Sequence, residues 1–165
     1  MSTVAIVLMV FVPMLIEGRR ARSNEARQRS RGGAEAPRDV YAVMRIAYPA
    51  AFLVMIVEQV VHTAPSSDAF AAGVALFAAA KALKWWAILA LGHSWTFRVI
   101  VVPGAALVAS GPYRFVRHPN YIAVVVELVA VGLMTGARIS GPLAVLGFGL
   151  LMLKRIAVEE RALRI

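Results

Sequence analysis

The chain contains no cysteine, which leaves it without a disulfide framework, a thiol nucleophile or a thiolate metal site. Histidine is scarce as well: His62, His93 and His118 are scattered and do not make a zinc set, so the expected metal content is none. Charged residues make up 16% of 165, against roughly 25% in soluble domains. No glycine-rich turn follows a strand in the manner of a Rossmann-like sheet. Gly147-Phe148-Gly149 lies inside an apolar run, where helix packing is the expected role. What is abundant is hydrocarbon, 60% of residues with a mean hydropathy of +0.72, the composition of a membrane protein.

Five apolar stretches, at 2–17, 40–61, 68–91, 119–137 and 141–158, each approach the length needed to cross about 30 Å of hydrocarbon. They predict an all-α integral membrane protein, residues 1–165 forming one transmembrane domain of five helices. The first stretch has no basic residue before Val4 and runs through Pro13 into Glu17-Gly18-Arg19-Arg20 without a small-residue cleavage site, so it reads as a retained span. Residues 17–39 form a basic hydrophilic tract, expected to be a cytoplasmic loop, either flexible linker or short surface helix. With that tract inside, fifteen of the eighteen Lys and Arg residues fall on the cytoplasmic side and Arg138 alone outside, while Lys81 and Lys84 sit within span three. The net charge of +9 is then a topology signal with an attraction to anionic lipid; nucleic-acid binding is not expected. Lys81 and Lys84, one turn apart, are expected to snorkel to the interface, and Trp85, Trp86 and Trp95 to join an aromatic belt. Glu58, near the outer end of span two, is expected to reach water or a loop-borne His62.

The chemistry concentrates between residues 93 and 161. Pro103-Gly104 and Ser110-Gly111-Pro112 punctuate a segment neither apolar enough to cross nor polar enough to be free, and predict a re-entrant or interfacial fold before helix four. Pro119 suits the first turn of that helix, which puts Arg114, Arg117 and His118 at its positive end, where a carboxylate could bind. Glu127, seven residues after Asn120 among apolar neighbours, is an intramembrane carboxylate and a functional candidate by default. Arg155 and Glu159 share one helical face four residues apart, and Glu160 points about 100° away.

The run Gly111-Pro112-Tyr113-Arg114-Phe115-Val116-Arg117-His118-Pro119-Asn120-Tyr121, with Glu127, Arg155 and Glu159-Glu160 downstream, resembles the isoprenylcysteine carboxyl methyltransferase family over residues 80–161. Lys84-Trp85-Trp86-Ala87-Ile88, Leu91-Gly92, Trp95-Thr96 and Val101-Val102-Pro103-Gly104 are similar to its small bacterial branch, some of whose members methylate hydroxyls of long-chain resorcinols or pyrones. The resemblance implies S-adenosyl-L-methionine as cofactor and a bacterial cytoplasmic membrane location with the active site facing the cytoplasm. It implies that Tyr113, Arg114, His118, Pro119 and Tyr121 lie around the cofactor, with Glu159 or Glu160 on its amino group, and that Arg117 and Arg155 stand near the reacting centre or the cofactor's carboxylate. The family continues further beyond the Glu-Glu pair, so part of the lid over the cofactor is expected to be missing or to come from the 17–39 tract or another subunit. Glu127 or Glu159 could be a base for a phenolic acceptor, and Arg117 a cation for the phenolate. The expected substrate is an amphipathic lipid carrying either such a hydroxyl or a prenylcysteine carboxylate. The alternative, a non-catalytic scaffold or transporter subunit, has no need for so many charges gathered at helix ends.

The charge asymmetry predicts that Ser30→Cys, introduced into this cysteine-free chain, is labelled by an impermeant thiol reagent only after the inner face is opened. Labelling from outside would overturn the orientation.

Overall fold

The computed structural model describes residues 3–61 and 65–163. Five helices dominate: α1 (Thr3–Ser30), α2 (Tyr41–Val61), α3 (Ser67–Leu91), α4 (Pro119–Thr135) and α5 (Ser140–Leu163). Short 3-10 turns at Gly92–Ser94 and Gly111–Arg114 bracket the segment between α3 and α4. Strand β1 (Ala34–Glu35) pairs antiparallel with β2 (Ile100–Val101), Ala34 opposite Val101 and Glu35 opposite Ile100. His62 and Arg164, used in the sequence reading, lie outside the described residues.

The hydrophilic tract is not a loop throughout. Helix α1 passes through Pro13 and Glu17 and continues to Ser30, because Arg, Ala, Glu and Gln, all good helix formers, follow the apolar stretch without a break. It stops where Gly32 takes a left-handed φ of 80°. Gly33 N–H then donates to Gln28 O and Gly32 N–H to Arg29 O, which satisfies two orphan carbonyls. Only residues 31–40 connect α1 to α2, and part of that connection is β1.

Three helical stretches, Tyr41–Val61, Ser67–Ser94 and Ser140–Leu163, are long and apolar enough to cross a bilayer. Helix α4 is apolar but has 17 residues, about 26 Å of rise, and α1 becomes charged from Glu17 onward. On α5, Leu143, Leu146, Leu150 and Leu153 are each at least 64% exposed in a continuous stripe, a face suited to lipid.

The elements sort into two ends. At one, Ser66 caps α3 by accepting Ala69 N–H, and Glu58 caps α5 by accepting Ile139 N–H at 3.0 Å and Ser140 N–H at 2.7 Å. At the other end lie Asp39, the 92–118 segment and the last turns of α5. Helices α3 and α4 pack closest, with Gly73 against Met134 and Ala130, and Gly132 meets Gly141 between α4 and α5. The expected packing role of Gly147 and Gly149 is not met: a Cβ at either would find open space.

Gly73→Val should therefore lower the midpoint of thermal unfolding in detergent, by about 1–3 kcal/mol of overpacking. Gly147→Ala should leave it unchanged or raise it, by up to about 1 kcal/mol of helix propensity.

Candidate active site

The first polar cluster sits where α4 begins and α5 ends. Pro119 is buried as the first residue of α4, with His118 just before it, and this start brings His118 and Tyr121 onto one side with their rings stacked at 5.4 Å. Tyr121 O–H donates to Glu159 Oε2 at 2.5 Å, while Arg155 Nε donates to the Tyr121 oxygen at 3.2 Å. All three Arg155 nitrogens are engaged: Nη2 donates to Phe97 O at 2.5 Å and Nη1 to Asp39 Oδ1. Asp39 in turn accepts the backbone N–H of Tyr41 at 3.0 Å and of Val99 at 2.8 Å. One carboxylate thus fastens the start of α2, the loop before β2 and α5. His118 Nε2 lies 3.2 Å from Glu160 Oε1, and Nδ1 lies 3.9 Å from Glu159 Oε2.

The second cluster lies six residues further along α4, about 9 Å deeper. Glu17, Lys81, Lys84 and Glu127 form a quartet with two charges of each sign. Glu17 receives Lys81 at 2.9 Å and Lys84 at 2.8 Å; Glu127 Oε1 lies 3.1 Å from Lys81 and 3.4 Å from Lys84. Tyr48 of α2 donates its hydroxyl hydrogen to Glu127 Oε2. Lys84 is 2% exposed and both glutamates 1%, so the expected snorkelling of the two lysines is corrected. The carboxylates on α1 and α4 hold these cations inside, and neutral pairing removes the drive toward water.

One cavity of about 770 Å³ joins both clusters. Glu17, Tyr48 and Lys84 line it at depth, His118, Tyr121, Arg155 and Glu159 at the basic end, and Val124, Phe148 and Met152 between. Residues 93–108 cover one side, the β1–β2 ladder holding that segment against the tract. Of the residues singled out from sequence, Tyr113, Arg117, His118, Tyr121, Arg155 and Glu159 border the cavity. Burial, then the nearby Glu159 carboxylate, pushes the Tyr113 hydroxyl above its ordinary range and keeps it protonated. Arg117 stands at the rim, 74% exposed, with Nη1 3.9 Å from Glu160. Arg114 lies over the Phe115 ring, and Glu127 serves the quartet. His118 and the glutamates, expected at opposite ends of a zwitterion, are in contact. Trp95 is buried against Ala21, Ile88 and Phe97 rather than in a belt, whereas Trp86 is half exposed beside Phe115.

Sequence reasoning missed Glu17, Asp39 and Tyr48. Glu17, Lys81, Lys84 and Glu127, four charges inside or at the edge of apolar stretches, were the available signal for the quartet. Asp39, in a polar tract, carried none.

These features define a membrane-type helical protein with a cavity that is charged at both levels and apolar between. The chain belongs to the isoprenylcysteine carboxyl methyltransferase (ICMT) family, whose sequence profile matches residues 73–165. It is similar to the uncharacterized protein YpbQ of Bacillus subtilis strain 168, 29% identical over 144 residues, 87% of this chain and 86% of that one. An uncharacterized protein of Haemophilus influenzae is 25% identical over 122 residues, 73% and 71% of the two chains. No solved structure matches. Membership places the chain in a family of membrane methyltransferases. Glu17, Asp39 and Tyr48 precede the matched segment, yet Glu17 and Tyr48 line the cavity and Asp39 holds Arg155 at its edge.

Lys84→Met would leave two buried carboxylates facing Lys81 alone, and should cost about 3–5 kcal/mol of stability. Adding Glu127→Gln removes the surplus carboxylate and should recover part of the loss, read as the unfolding midpoint of each variant in detergent.

Proposed function

We propose that this chain is an S-adenosyl-L-methionine-dependent O-methyltransferase of the bacterial cytoplasmic membrane, acting on a lipophilic acceptor that arrives from the bilayer, with its five helices spanning and its basic end in the cytoplasm. The observation that carries the reading is the joining of the Glu159–Tyr121–Arg155 cluster and an apolar wall in one cavity. The residues fit the cofactor's chemistry. Asp39 and Glu159 against Arg155 leave one surplus carboxylate for a ligand that is a zwitterion with an added positive sulfonium. Asn120 Oδ1, a buried acceptor beside the cavity, has no hydrogen-bond partner and suits an amino group. The chemistry that the bound cofactor supplies is an electrophilic sulfonium methyl group.

In this reading Glu159 binds the ammonium, and Tyr121 orients Glu159 while being held by Arg155. The stacked His118 and Tyr121 rings give the positive sulfonium a π face. Glu160 and Arg117 close the rim. Phe148, Met152 and Val124 exclude water and hold the acceptor, so that positioning and a dry site do most of the work. The acceptor is a hydroxyl on a long-chain phenol or pyrone, or a prenylcysteine carboxylate.

Calorimetry with S-adenosylhomocysteine and radiolabelled methyl transfer to alkylresorcinol, alkylpyrone and prenylcysteine acceptors test the reading; no binding and no transfer would end it. Glu159→Gln with Glu160→Gln should weaken binding by about 1.5–3 kcal/mol, roughly 10- to 150-fold. Arg155→Lys, losing the fork that reaches Asp39, Phe97 and Tyr121 together, should lower turnover more than Arg117→Lys at the exposed rim.

A further inference from the structure

Tyr48, Glu17 and Lys84 border the same cavity as the cluster around Tyr121, and Glu127, the candidate base of the sequence reading, stands behind the Tyr48 hydroxyl and is reached through it. Resting on the reading that this cavity methylates an oxygen, we infer that Tyr48 is a catalytic residue that takes the proton of a neutral acceptor hydroxyl and passes its own to Glu127.

A phenolic hydroxyl with a pKa of about 10 is a weak nucleophile until it loses its proton. Tyr48 borders the cavity while donating its hydrogen to Glu127 Oε2, which leaves its oxygen lone pairs to accept another hydrogen bond. Its ring is fixed by Phe52 at 4.8 Å and Phe148 at 5.1 Å, with Lys84 Nζ 5.4 Å from the ring centroid. Of the two carboxylates, Glu127 is the less well satisfied. Glu17 receives both ammonium groups within 2.9 Å, whereas Glu127 has Lys81 at 3.1 Å and Lys84 at 3.4 Å, its Oε1 has no well-directed hydrogen bond, and it is the carboxylate that Tyr48 already donates to. The proton therefore lands on Glu127.

The transfer conserves the charge of the buried group. Two lysines that faced two carboxylates afterwards face one carboxylate and one oxyanion, so no unpaired charge appears in a medium where it would be costly. The acceptor O–H bond breaks and its hydrogen bonds to the Tyr48 oxygen, while the former Tyr48 hydrogen bonds to Glu127. Tyr48 O–H then donates to the acceptor oxyanion. That oxygen's electron pair forms the bond to the methyl carbon, and the pair of the broken carbon–sulfur bond stays on sulfur. The proton on Glu127 returns through Tyr48 to water once the product has left.

Tyr48→Phe keeps the ring packing and removes the relay. Two long-chain probes separate the roles: an alkylresorcinol, and a nitro-substituted alkylphenol that ionises near neutral pH and absorbs visibly when ionised. Without cofactor, the nitrophenol bound to the full chain in detergent should ionise at a pH about one unit lower on wild type than on Tyr48→Phe, a tenfold change in ionisation. With cofactor, Tyr48→Phe should lose about 100- to 10,000-fold in turnover on the resorcinol near pH 7 and little on the ionised nitrophenol, with unchanged S-adenosylhomocysteine affinity. Equal losses on both acceptors, or the same ionisation midpoint in both proteins, would reduce Tyr48 to packing and overturn the inference alone. Wild type that neither binds S-adenosylhomocysteine nor methylates either probe would overturn the functional reading, and the inference with it.

Discussion

A carboxylate buried among apolar helices needs a cation within a few ångströms, and Glu17 and Glu127 impose that need on the elements around them. Because Glu17 is on α1 and Glu127 on α4, while both lysines are on α3, three helices must hold one relative depth; Tyr48 adds α2 through its bond to Glu127. A shift of one residue along any of these axes rotates it by about 100° and would strand a charge. The quartet thus fixes helix register in a bundle whose other contacts are largely non-directional. It also accounts for α1 remaining a helix past its apolar stretch, since Glu17 needs a rigid backbone on both sides.

The second constraint acts at the basic end, where irregular backbone must be satisfied and held. Asp39 does this with two backbone N–H groups and Arg155, all on a side chain 3% exposed. Arg155 contributes the Phe97 carbonyl and the Tyr121 oxygen. The hydrogen-bond chain from Asp39 to Glu159 therefore couples the polar tract to the site. The tract is the structural complement of the segment that carries the family's motif, which explains how a match confined to 73–165 leaves the cavity incomplete without residues 17–48.

The helical class and five helices were legible because apolar runs of this length have few other solutions. That Arg155 and Glu159 share a face was legible from spacing, and the place of His118 from the Pro119 helix start; the grouping of His118 and Tyr121 with the glutamates was what the family resemblance implied. The continuation of α1 was not: a basic tract with Gly32 and Gly33 at its end looks like a linker when helix propensity is weighed below charge. Lys81 and Lys84 were assigned to the interface because snorkelling is the common fate of lysines near a helix end, and their partners lie 43 to 67 residues away. Such pairing is invisible to local periodicity. Asp39 was missed for the same reason, its Arg155 partner being 116 residues distant.

Two polar tiers on one helix divide the cavity by charge. At the basic end Asp39 and Glu159 outnumber Arg155, which favours a ligand carrying net positive charge. About 9 Å deeper the quartet is already neutral, so that end favours an uncharged group. Among the described residues a carboxylate-bearing lipid would find no spare buried cation there; Arg31, Arg45 and Arg117, which also border the cavity, are exposed to screening by water, and Arg98 is paired with Glu35. Under the proposed function, the balance of buried charge accordingly favours a neutral hydroxyl as the group that reaches the deep tier. In the proposed reaction such an acceptor sheds a proton during methyl transfer, and the deep tier already holds a tyrosine hydroxyl bonded to a carboxylate whose other oxygen has ion-pair contacts with both lysines but no well-directed hydrogen bond.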